Sequence, residues 1–453
     1  MQQYFYQLAD DLKSKLKGEE VFLANYSGED SDFVRFNQAK VRQPGSVTQR
    51  YLTLELINGQ RHAAATVALA GKKAIDGPRV KDLLAGLRDR LEHVPEDPYL
   101  LYSTEVKSSE QIGADRLPKS EDALDKVLSA GKGQGSPNAK SRVRGPLDMV
   151  GLWASGGIHA GFANSLGQRN WFSSHSFNLD WSFYHNADKA VKAQYADFEW
   201  DDAAFARKVD QACEQLAVIS GQPKTVPPGN YRVYLAPAAL EDLVGILCWG
   251  GFGLKAHRTK FTPLLKMIAE GATLSPAVTL REATAEGIAP NFQSSGYIKP
   301  PSVTLIEAGK YRDCLVSPRS AKEYGQPCNG ANGGEGPESL DASAGDIPAS
   351  EVLSRLGTGV YVNTLWYLNY SDRAAGRITG MTRFATFWVE NGRLVAPLNV
   401  MRFDETVYRF LGSNLVGLTR EREFIPSTSS YGGRSTSSTR MPGALVDDFA
   451  FTL

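Results

Sequence analysis

The stretch LAPAALEDLVGILCWGGFG, residues 235–253, holds the residues whose types and spacing come nearest to a catalytic helix. A short apolar run from Tyr231 to Ala236 passes through Pro237 into a helical pattern. Leu240, Leu243, Val244 and Leu247 fall at i, i+3, i+4 and i+7, one buried stripe. Beside it sit two adjacent carboxylates, Glu241 and Asp242, and a cluster of glycines ends the pattern. A helix that holds a hydrolytic metal has this plan, with histidine and glutamate at such positions. The plainer reading is an acidic pair at a helix start, stabilised by the dipole by ~0.3–1 kcal/mol.

Other candidates are sparse. The chain has six histidines and none follows His257. His257 lies among Lys255, Arg258 and Lys260 and reads as a surface or loop residue. His159, His175 and His185 are separated by 16 and 10 residues, which is not ligand spacing on one element, so no metal site is expected there. Cys213 falls in a helical stripe and reads as core. Cys314 and Cys328 flank SPRSAKEYG with no histidine close in sequence to serve as a base, and read as unremarkable thiols. Trp366, Tyr367, Phe384, Phe387 and Trp388 alternate with small residues and read as strand core. The glycine-bearing stretch SAGKGQGSPNAKSRVRG lacks phosphate-loop spacing and reads as a solvated loop.

The elements that must position these residues follow from periodicity. Phe5, Leu8, Leu12 and Leu16 make a helical stripe closed by Gly18. TQRYLTLELINGQRHAAATVAL alternates as two strands, with Asn58-Gly59 expected to supply both φ > 0 residues of a hairpin turn. Asp76 and Pro78 open a helix carrying Val80, Leu83, Leu87 and Leu91. The polar stretch from about Ser103 to Asp148 reads as largely exposed loop. Asp201 caps a helix bearing Phe205, Val209, Cys213 and Leu216. A second Asn-Gly hairpin is centred on Asn391-Gly392. The fold expected is α+β: mixed α/β N-terminal domains, then a large, mostly antiparallel β C-terminal domain from about Val226.

Composition narrows the partners. Of 453 residues, Lys+Arg and Asp+Glu both total 50, which gives no basic excess for a nucleic acid. No signal peptide is indicated at the start. The longest apolar stretch, around Leu243 to Leu254, is broken by four glycines and is too short for a membrane span. Four cysteines without a C-x-x-C pair favour reduced thiols and a cytoplasmic protein.

Several stretches together resemble the TldD/PmbA (TldE) family. VRFNQAKVRQPGSVTQRYLTLELINGQRHAAA resembles its first domain and GGIHAGFANSLGQRNWF its second. PPGNYRVYLAPAALEDLVGIL, SPRSAKEYG, GVYVNTLWYLNYSDRAAGRITGMTRFATFWVENGRL and MPGALVDDF resemble landmarks of its third. The resemblance implies domains at 1–102, 103–225 and 226–453. It also implies a division between zinc-bearing TldD-like proteins and TldE/PmbA-like proteins. The former carry H-E-x-x-x-H and a late cysteine; the latter lack both and pair with a TldD-like subunit in a cytoplasmic protease. The substrates implied are unfolded or extended peptides, including modified-peptide precursors. An older family label, modulator of DNA gyrase, has no support in this neutral chain.

Aligned on the family pattern, the zinc motif falls on Glu241 to Ile246. Glu241 stands at the first histidine position and could bind a hard cation. Asp242 keeps a carboxylate at the general-base position. Ile246, at the second histidine position, has no donor atom, and no cysteine follows Cys328. One possible ligand of three does not make a catalytic zinc site. The expectation is therefore a non-catalytic subunit with no metal or cofactor of its own and zinc in its partner. When alone, such a subunit could form a homodimer. Two other readings stay open: a self-sufficient peptidase using a different metal or a thiol, and a homo-oligomeric peptide-binding protein.

Overall fold

The computed structural model describes residues 1–132, 147–186, 189–430 and 432–453. The N-terminal half runs α1 (Gln2–Lys13), β1 (Val21–Asn37), β2 (Lys40–Asn58), β3 (Arg61–Ala68), α2 (Lys73–His93) and β4 (Ser109–Ile112). It continues through α3 (Ser120–Gly131), β5 (Asp148–Asn164), β6 (Arg169–Asn186), β7 (Lys189–Asp197) and α4 (Asp202–Ile219). These strands form one seven-stranded sheet, ordered β3-β2-β1-β5-β6-β4 with β7 on β6. β1 pairs with β5 along most of its length, so a single sheet spans both N-terminal segments.

Two helical layers cover one face of that sheet. Phe5, Leu8 and Leu12 of α1 and Val80, Leu84 and Leu87 of α2 pack on Phe22, Tyr26, Leu52, Leu54 and Leu56. Further along the strands, Val127 of α3 and Phe205 and Val209 of α4 pack on Phe36, Trp153, Phe177 and Trp181. The opposite face meets the C-terminal half: Leu23, Ile57, Phe162 and Phe172 cluster with Phe292. Arg434 adds a polar clamp there, its guanidinium donating to Gly156 O at 3.1 Å and Ser176 O at 2.9 Å. Burial pulls that guanidinium down to about 10.

The C-terminal half runs β8 (Gly229–Leu235), α5 (Pro237–Leu247), α6 (Leu254–Arg258), α7 (Leu265–Glu270), β9 (Leu280–Glu282), β10 (Val303–Glu307) and β11 (Lys310–Tyr311). Then come α8 (Pro318–Tyr324), β12 (Ser339–Ala342), α9 (Val352–Leu356), β13 (Gly359–Val362), β14 (Leu365–Asp372) and β15 (Arg377–Thr382). The chain closes with β16 (Thr386–Glu390), β17 (Arg393–Pro397), β18 (Arg402–Thr406), β19 (Leu415–Pro426) and β20 (Ser438–Phe451). A 13-stranded sheet results, with β20 bonded to β8, β12, β18 and β19. Its pairs are antiparallel except β8–β13 and β12–β20. The architecture is the α+β one expected, with a mixed N-terminal half and a mostly antiparallel C-terminal sheet.

Several local expectations need correction. The first hairpin turns on Gly59 and Gln60, since Asn58 still pairs with Arg61, and only Gly59 takes a positive φ, 62°. The second does turn on Asn391 and Gly392, with φ of 50° and 72°. α2 starts before Asp76, whose buried carboxylate accepts the N–H groups of Ala70, Gly71 and Lys72 that lead into the helix. Leu84, not Leu83, is the fully buried member of its stripe. α1 ends at Lys13, short of Gly18. The stretch expected to be loop holds β4 and α3, while the glycine-bearing run lies from 133 onward outside the described residues. Asp201 caps α4 as expected, accepting from the N–H of Ala203 and Ala204.

Candidate functional site

α5 is placed by the strand before it. Ala236 N donates to Val362 O at 2.9 Å, and Pro237 stands in the first turn, where its missing N–H costs nothing. The stripe Leu240, Leu243, Val244 and Leu247 is buried as its spacing requires, and it packs with β8 and β20. Glu241 and Asp242 lie in the second turn, so the dipole reading of an acidic helix start fails. They face other elements instead. Asp242 Oδ2 accepts the backbone N–H of Leu365, the first residue of β14, at 2.9 Å. Lys192 of β7 supplies the nearest cationic field to both carboxylates and lies 3.5 Å from Asp180. A cleft of about 580 Å³ opens beside Lys192, bounded by Arg35, Arg42, Asp180 and Phe384.

Burial dominates the electrostatics. It pushes Glu241 up to about 7, with the Asp242 charge adding and Lys192 opposing. Asp242 is pushed up to about 6 by burial, against the Leu365 N–H and Lys192. Such a carboxyl titrates close to neutrality and could move a proton.

The rest of a zinc site does not assemble. Ile246 is 5% exposed and sits in the apolar core of the C-terminal domain. Cys248 donates its thiol proton to Val244 O of its own helix at 3.7 Å, and burial pushes the thiol up to about 12. His257 is not the surface residue expected. Its Nε2 lies 2.7 Å from Gly251 O and its Nδ1 3.4 Å from the Tyr311 hydroxyl, so both nitrogens are engaged. Among the described residues no three His, Cys, Asp or Glu side chains stand close enough to enclose a metal ion as they are. The zinc that the family implies therefore does not fit the residues of α5 in this chain.

The remaining candidates scatter. Cys213 is core, as expected. Cys314 and Cys328 are held above the ordinary thiol range by burial. Phe387 is fully buried, but Trp366 and Tyr367 are 46% and 76% exposed, which corrects their reading as core. They crown the edge of β14, with the Arg383 guanidinium 3.9 Å over the Trp366 ring. The arrangement sequence spacing missed is a cross-strand one. His159 and His175 come together on adjacent strands, while His185 stands apart and exposed.

Residues 228–453 match the family described as the PmbA/TldA metallopeptidase C-terminal domain. The chain belongs to the TldD/PmbA family. It is similar over 99% of its length to the whole of a putative modulator of a DNA gyrase from Thermotoga maritima, at 14% identity and a TM-score of 0.76. TldE from Thermococcus kodakarensis superposes with a TM-score of 0.75 at 15% identity, over 99% of this chain and 100% of that one. A putative modulator of DNA gyrase from Bacteroides thetaiotaomicron gives 0.74 at 17% identity, over 99% and 98%. The search of curated proteins gives no match. Among the described residues no helix is long and apolar enough to cross a membrane.

Proposed function

We propose that this chain is the non-catalytic, TldE-like subunit of a two-subunit cytoplasmic zinc peptidase, with the zinc held by a TldD-like partner. The observation that carries the reading is Ile246: where the motif calls for a ligand, the helix buries a side chain without a donor. Fold similarity to a TldE protein supports membership of the family. Substrates are extended or unfolded peptides, including modified-peptide precursors, which the open cleft beside Lys192 could admit. A thiol peptidase is disfavoured, since burial holds Cys248, Cys314 and Cys328 in their protonated, poorly nucleophilic form.

The test needs the relative from the same genome that keeps H-E-x-x-x-H and the late cysteine. Peptide cleavage by that relative, with and without this chain at matched concentration, should rise when the two are mixed. They should also co-sediment. Equal cleavage by the relative alone, or failure to associate, refutes the proposal.

A further inference from the structure

The two helical layers on the N-terminal sheet leave a gap between them, and the gap holds chemistry. β1, β5 and β6 run side by side, and their register puts Asp30, Gly157 and His175 in one row. His159 lies two residues further along β5 and therefore on the same face. Gly157 leaves the space between the imidazoles open: a Cβ there would stand 3.1 Å from Nε2 of both rings. The ring centroids are 6.0 Å apart at an interplanar angle of 77°. Both Nε2 atoms thus converge over one glycine.

At His175 the second nitrogen fixes which atom is available. His175 Nδ1 lies 3.3 Å from Gly113 O, and a carbonyl can only accept, so Nδ1 carries the proton and Nε2 keeps its lone pair. Among the described residues His159 Nδ1 is buried without a partner, and Nε2 is the atom that faces the cleft and Asp30. His159 rests against the Trp171 ring, and burial favours its neutral form. Asp30 Oδ2 stands 3.8 Å from His159 Nε2, and its carboxylate is 45% exposed. The cleft above them has a volume of about 510 Å³. Its other charged walls are Asp32, Asp115 and Lys119, and Arg50 holds the second oxygen of Asp30 at 3.3 Å. Asp32 is engaged by the hydroxyls of Ser46 and Ser120.

We propose that His159, His175 and Asp30 bind a divalent transition-metal ion of the zinc type, with water completing its coordination. Imidazole donors with one carboxylate suit zinc, nickel or cobalt, whereas calcium and magnesium take all-oxygen shells. The donors do not enclose an ion as they stand. The part that must move is the Asp30 carboxylate, which is half exposed and, among the described residues, pairs with the partly exposed Arg50 at 3.3 Å and with His159 at 3.8 Å. Neither the position vacated on α5 nor the partner reading is involved, so the site stands or falls by itself.

The test is calorimetric titration of the full chain, stripped with chelator and desalted, with Zn(II) near neutral pH. One ion should bind per chain. His159→Ala and His175→Ala should each weaken binding by ~10-fold or more, and Asp30→Asn by less. His175→Gln, with thermal melting and circular dichroism, checks that loss of binding is not loss of fold. No binding of Zn(II), Ni(II) or Co(II) up to millimolar concentration overturns the proposal. So does zinc binding that survives both histidine substitutions, or that is lost with Glu241→Gln instead.

Discussion

At Glu241 the folded chain holds a carboxyl pushed up to about 7, with Asp242 beside it at about 6. A carboxyl raised above its unfolded value binds extra protons in the folded state between about pH 4 and pH 7. The stability this provides is present at acid pH and is lost as pH rises through that window. Glu241→Gln should therefore stabilise the protein near pH 8 by about 1–3 kcal/mol, and the gain should vanish below about pH 5. Melting curves at the two pH values check this, and equal gains at both would contradict it. Glu241→His with Ile246→His should still give no chelator-sensitive peptidase, because the sulfur ligand is absent; peptide cleavage by the double variant is the readout. The motif window was legible in the chain, but the environment of its carboxylates was not. Lys192 and Leu365 reach them from segments far away in sequence.

Among the elements, the segment between β19 and β20 is the loop its composition implies, but a tethered one. Its Ser- and Gly-rich sequence reads as free loop, yet Arg434 anchors it across β1, β5 and β6. Arg434→Ala removes these charged hydrogen bonds and leaves the buried Glu29 without its nearest cation. The expected cost is about 2–4 kcal/mol, with faster amide exchange in the loop between β19 and β20 than in the parent protein. A variant melting with the parent, and exchanging no faster, would show the clamp to be idle. The turns carry the same lesson. Asn391-Gly392 sits where its dipeptide signal says, whereas Asn58-Gly59 slips by one residue because the β2–β3 pairing extends to Asn58. The β1–β2 turn has no such signal. Gln38 and Ala39 take φ of 52° and 51°, with Ala39 buried and bonded to Met149 O. Tertiary packing overrides turn preference there.

For the whole molecule, the partner reading demands a surface, and the exposed aromatics beside α5 are where charge should do most harm. Trp366 and Tyr367 lie next to the Leu365 N–H that Asp242 holds, and Tyr367 sits at φ 58°, a costly conformation for a bulky residue. Trp366→Asp and Tyr367→Asp should abolish stimulation of the zinc-bearing relative and leave melting unchanged. Aromatic anchors in protein interfaces commonly cost upwards of ~2 kcal/mol when lost. Full stimulation by both variants would place the contact elsewhere. A stable pairing of this kind would bury upwards of ~2,000 Å².

What the sequence determined by itself is local and periodic. The stripes of α4 and α5, the Asp201 cap, the α+β class and the donor-free Ile246 all follow from side-chain type and short spacing. These signals act within a few residues of one another. Only the tertiary structure decided which distant residues meet. It laid one sheet across both N-terminal segments, left Glu241 half-buried in the field of Lys192, and left Trp366 and Tyr367 in solvent. It also brought His159 and His175 over Gly157, although 16 residues separate them in the chain. The physical reason is strand register. In an antiparallel pair the partner of a residue depends on the lengths of the strands and of the turn between them, so no fixed sequence spacing marks the contact.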